Sequence, residues 1–103
     1  MNRAAELVDD IEAVAQWKIA KLFGNIARGE PAYDLSAAGF YETRLTGEPA
    51  PPAITSREAL KRSRAHAQAA LTILERRAAL PPAVETPVNY AFYIDASKKW
   101  LRG

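Results

Sequence analysis

His66 is the single histidine of the chain and the first residue to consider for chemistry. A metal or acid–base site needs further nitrogen, sulfur or oxygen donors at compatible spacing. His66 stands between Arg64-Ala65 and Ala67, with no carboxylate within one helical turn, and the sequence has no cysteine. These residues predict neither a metal centre nor thiolate chemistry. Glu6, Asp9, Asp10 and Glu12 form a second candidate, since Glu6 and Asp10 share a helical face. All four lie near a helix N-terminus, where the helix dipole accounts for them. No serine has the setting of a nucleophile elbow, and the scattered glycines make no phosphate loop. No catalytic, cofactor-binding or metal residue is assigned, so neither an enzyme nor a small-molecule substrate is expected.

The basic residues carry more. Arg57, Lys61, Arg62 and Arg64 crowd one segment, with Arg76 and Arg77 further on, against Glu58 and Glu75. Arg57, Lys61 and Arg64 lie about a turn apart on a helix and could track phosphates. Glu58 can instead pair with Arg62 at i+4, and no turn-then-recognition-helix pattern is visible.

The elements that must position these groups follow from periodicity. Ala4, Val8, Ile11, Ala15, Ile19, Leu22 and Ile26 recur at steps of three or four, which predicts an amphipathic helix over 3–28. Asn2 is its N-cap in this reading, and Gly29 with Pro31 stops it. Tyr41, Thr43 and Leu45 alternate with Phe40, Glu42 and Arg44, which predicts a strand over 39–46. Pro49, Pro51 and Pro52 make 47–55 a stiff connector. Thr55 and Glu58 have capping-box spacing, opening a helix over 56–80 that Pro81 and Pro82 end. Val88, Tyr90, Phe92 and Ile94 alternate with Asn89, Ala91, Tyr93 and Asp95, predicting a strand over 88–95. A basic and aromatic tail follows over 96–103. A missing strand could lie near Ala83 to Thr86. The expected fold is α+β, two long amphipathic helices packed on a small antiparallel sheet, in a single domain over 1–103.

Two strands alone are marginal in water, and aromatics on both faces of the second need cover. Tyr90, Phe92, Tyr93 and Ile94 are therefore expected to pair with a neighbour, with Trp100 and Leu101 as anchors. The 14 Lys and Arg against 12 Asp and Glu leave a net charge of +2, too balanced for a dedicated polycation. The acidic start is not a signal peptide, and no run reaches the roughly 20 apolar residues of a membrane span.

Asn89, Tyr90, Ala91, Ile94, Asp95, Ala96 and Ser97 stand in an order similar to the closing motif of small phage tail-component proteins. These complete tails or join them to the head, and the motif runs Asn, Tyr-Ala, an acid with an aromatic, Gly and Ser. The stretch "SAAGFYETRLTGEP" resembles their Asp-Thr-Gly turn and following strand. Ser36-Ala37-Ala38-Gly39 replaces that turn here, and Asp95-Ala96-Ser97 lacks the aromatic and the glycine. The resemblance implies a ring-forming, non-catalytic subunit of a virion neck or tail. Its partners would be copies of itself and other virion proteins, located in the virion or the host cytoplasm. Two alternatives stand beside it: a regulatory protein binding nucleic acid through Arg57, Lys61, Arg62 and Arg64, and an adaptor or inhibitor binding one protein by strand addition.

Overall fold

Two helices of more than twenty residues set the frame. The computed structural model describes residues 3–29, 35–79 and 88–102, which form α1 (Arg3–Ala27), α2 (Leu35–Thr46), α3 (Ser56–Ala78) and α4 (Tyr90–Arg102). Thr55 caps α3 by accepting the Glu58 amide at 3.1 Å. Gly29 and Gly47, just beyond the ends of α1 and α2, adopt φ of 77° and 76°, the left-handed turn that favours glycine.

The long helices run antiparallel. Ser63 Oγ donates to the Ala20 carbonyl at 2.8 Å, and Arg77 Nε reaches Asp10 at 3.1 Å, so one helix climbs as the other descends. Their seam is built from small side chains: Ala13, Ala20, Ala59, Ala67 and Ala70 are all fully buried. Phe23 and Ile19 of α1 and Leu74 of α3 are the largest fully buried side chains among the described residues, and further large groups enter from the short helices. Tyr90, Tyr93 and Ile94 of α4 pack against Ala13, Ala70, Ile73 and Leu74. Trp100 closes over Ala20 and Ala67, while α2 sets Ala38 beside Ile19, Phe23 and Ala59.

The expected sheet is absent from the described residues; the architecture is an all-α bundle. Residues 39–46 lie within α2, and most of 88–95 forms the first turns of α4. The alternation of Val88, Tyr90, Phe92 and Ile94 is real, but Tyr90, Tyr93, Ile94, Ser97, Trp100 and Leu101 also recur at helical steps. Packing on α1 and α3 selects that second pattern. Asn89 starts the helix: its side chain accepts the Phe92 amide at 3.1 Å and its carbonyl the Tyr93 amide at 3.2 Å. The supposed tail, through Arg102, is the last two turns of α4, with Lys99 and Arg102 complementing its dipole. In α2 the alternation is equally misleading, because Ala38 and Glu42, four apart, are the side chains turned inward. The Asn2 cap, Pro31, the Pro81-Pro82 stop and the suggested strand at Ala83–Thr86 lie outside the described residues.

Gly24 lets α4 close. A methyl group there would overlap the Trp100 ring and come within 3.0 Å of Ser63 Oγ. In an ordinary helix interior, alanine is favoured over glycine by about 1 kcal/mol. Overpacking of a filled core costs about 1–3 kcal/mol. Gly24→Ala is therefore expected to destabilise the chain by up to about 2 kcal/mol, lowering Tm and red-shifting tryptophan emission. A stabilised variant would show that Trp100 does not sit on Gly24.

Candidate functional site

His66 is gathered into a buried polar cluster by three helices. Its Nδ1 lies 2.6 Å from Gln16 Oε1 of α1, and its Nε2 lies 2.8 Å from Glu42 Oε2 of α2. The second Glu42 oxygen binds Arg62, whose other guanidinium nitrogen lies 3.7 Å from Glu58. The Phe23 ring stacks on the imidazole, 6.3 Å between centroids and 6° from parallel. Glu42 had no visible role in the sequence, because its nearness to His66 arises only when α2 folds onto α3. Both ring nitrogens and both carboxylate oxygens are already engaged within the bundle. A group so occupied holds three helices in register.

A second tie joins α1, α3 and α4. Asp10 and Arg77 are almost wholly buried, 4% and 3% exposed, so the pair is shielded from water. Arg77 Nε donates to Asp10 Oδ1 at 3.1 Å, and Arg77 Nη2 approaches the Tyr90 hydroxyl at 2.9 Å. That hydroxyl donates to the Asp10 carboxylate at 2.9–3.0 Å. Outside this tie, Arg76 meets Asp9 at 3.0 Å on the surface. Among the described residues the acidic group is thus divided between two ion pairs, with Glu12 half-buried; the side chain of Glu6 lies outside the described residues. Among the described residues, no three metal-binding side chains come together and no helix is long and apolar enough to cross a membrane.

The expected interface residues are mostly interior. Trp100 is buried, Tyr90, Tyr93, Ile94 and Leu101 are half-buried against α1 and α3, and Phe92 alone stays exposed. The expected phosphate-contacting set divides. Arg62 turns inward to Glu42, whereas Arg57, Lys61 and Arg64 are exposed together on α3.

Two surfaces remain. One is apolar: Leu7, Val8 and Ile11 of α1 and Phe40 and Tyr41 of α2 are 39–70% exposed. A depression lined by Leu7, Ile11, Val14 and Val88 adjoins another lined by Phe40, Tyr41 and Leu45, and both include Ala15 and Lys18. The other is basic and lies where the C-terminal ends of α1 and α4 meet the start of α3. Compared with protein-family models, curated proteins and solved structures, the chain finds no match.

The buried tie predicts an order of effects. Asp10→Asn removes a carboxylate charge paired with the buried Arg77 and is expected to cost about 3–5 kcal/mol. Tyr90→Phe removes one hydroxyl and is expected to cost about 1–2 kcal/mol. Urea unfolding of the two variants checks this, and equal losses would contradict the arrangement.

Proposed function

We propose that the protein is a non-catalytic assembly subunit that packs the α1–α2 apolar face against a second copy of itself. One observation carries this reading: α1 is apolar on two sides. Ala13, Ile19, Ala20 and Phe23 turn inward, while Leu7, Val8 and Ile11 turn outward to 44%, 62% and 70% exposure. An apolar cluster of this kind marks a contact surface, and among the described residues Leu7, Val8 and Ile11 stay uncovered.

The occupant is a second copy because the face complements itself. Ala15 is the small residue shared by both depressions, so two α1 helices crossing antiparallel at Ala15 can approach closely. That crossing sets Ile11 and Glu12 of one copy beside Lys18 of the other. It also lays the Leu7–Ile11 ridge towards the hollow beside Phe40 and Tyr41. Lys18, held over the Tyr41 ring at 4.6 Å, then meets a carboxylate across the contact. The contact is isologous, a two-fold dimer in which each copy gives the same patch. A virion neck or tail is one setting for such a subunit, resting on the resemblance of residues 89–97 alone.

Light scattering across a wide concentration range tests the proposal. The expected mass is twice the 11.3 kDa of the chain. Ile11→Glu, at a position 70% exposed and so harmless to the folded monomer, is expected to return it to a single chain mass with unchanged helicity. A wild-type chain that stays monomeric at high micromolar concentration, or a dimer indifferent to Ile11→Glu, overturns the reading.

A further inference from the structure

The near-neutral total conceals a separation of charge along the bundle. On α3, Arg57, Lys61 and Arg64 follow one another at i, i+4 and i+7, all exposed, around the partly covered Leu60. Among the described residues none of the three has an ion pair. The end of α1 reaches the same region. Arg28 lines a hollow with Arg57, Leu60 and Trp100, and its guanidinium lies 4.7 Å from the centre of the Trp100 ring. From α4 come Lys98, Lys99 and Arg102, all exposed, with Lys99 Nζ 5.3 Å from the same indole. Lys21 completes the group from the groove between α1 and α4, 5.6 Å from the Trp17 ring.

These eight cations, drawn from α3, α4 and the end of α1, thus surround the last turns of α4. Among the described residues, two carboxylates stand with them: Glu58, which leans to Arg62 at 3.7 Å, and Asp95 in the α1–α4 groove. Asp9, Asp10, Glu12 and Glu75 lie towards the opposite end of the long helices, where Arg76 and Arg77 offset two of the four charges. Trp100 organises the basic end, since its buried ring offers an electron-rich face that holds Arg28 and Lys99 close despite their mutual repulsion. Crowded like charges with few counter-ions favour a polyanion, whose binding releases the ions condensed on it.

We infer that this end of the bundle binds the phosphate backbone of duplex nucleic acid. Seven of the cations are shared among two open hollows and a groove, at intervals of about one helical turn on α3, and do not converge on one enclosed pocket. That distribution suits a partner that repeats its charge regularly along two strands, and it suits an isolated anion poorly. Stacking on unpaired bases needs several exposed aromatics, and Phe92 is the only large one strongly exposed on the α4 side among the described residues. The surface reaches phosphate and leaves base edges unread, so the binding is sequence-independent. It lies towards the opposite end of α1 from Leu7 and Ile11, and so stands independently of the self-association proposed above.

The test is fluorescence anisotropy with a labelled 30-bp DNA duplex, the same-length single strand and a polyglutamate competitor, over about 50–200 mM NaCl. The chain is expected to bind the duplex with a dissociation constant of about 1–100 μM, weakening steeply with salt. Replacing Arg57, Lys61 and Arg64 together by Gln is expected to weaken binding at least tenfold. It should also flatten the logarithmic salt slope by about two to three, near 0.9 for each phosphate left without its cation. Lys99→Gln with Arg102→Gln should give a smaller effect in the same direction. Circular dichroism establishes that these surface variants keep their helices. No binding at the lowest salt, affinity unmoved by the triple replacement, tighter binding to the single strand, or equal competition by polyglutamate would each overturn the inference.

Discussion

The interface between α1 and α3 is made largely by alanines, and most of the structure follows from how little such side chains fill. Fully buried Ala13, Ala20, Ala67 and Ala70 let the two long axes draw together. They also supply little of the apolar area that stabilises a fold, at roughly 25 cal/mol per Å². Ile19, Phe23 and Leu74 fill part of the gap, and the remaining volume comes from elsewhere in the chain. Helix α4 brings Tyr90, Tyr93, Ile94 and Trp100 to the seam, and Gly24 is the gap through which the largest of them enters. The aromatic stretch near the end of the chain is thus the complement of the alanine-rich stretches before it.

Apolar packing of this kind is tolerant of sliding, because one alanine resembles the next. The polar ties remove that freedom. Asp10 with Arg77 and Tyr90 fixes one end of the three-helix junction, and His66 with Gln16 and Glu42 fixes α2 to the middle. Ser63, bonded to the Ala20 carbonyl, marks the register between them. A slip by one turn would leave buried charges without partners, and the cost of that exceeds any gain from alternative alanine packing.

The sequence discloses the long helices well and the short ones badly, for one reason. In α1 and α3 the apolar period runs for six or seven turns, and Thr55 and Gly29 mark ends that local chemistry alone enforces. In α2 and α4 three turns carry aromatic and β-branched residues at spacings that satisfy both a period of two and a period near 3.6. The choice between them is made by the groove those residues fill, which is a property of distant parts of the chain. Asn89 was the overlooked local sign, a helix cap directly before the ambiguous run. The basic residues on α3 were visible as a cluster, but the inward turn of Arg62 depends on Glu42, twenty residues away. Arg28 and Lys99 join the cluster only because Trp100 draws their helices together.

The two-sided character of α1 also bears on the order in which the molecule can be made. During synthesis α1 precedes the end of α3 by about 50 residues, from Ala27 to Ala78. At about 5–20 residues per second, this first helix waits roughly 3–10 s before its chief partner is complete. Over that interval α2 alone can reach Ile19 and Phe23, while Ala13 and Ala20 are as uncovered as Val8 and Ile11. The nascent chain is therefore most exposed to aggregation, and most dependent on a chaperone, before α3 has left the ribosome.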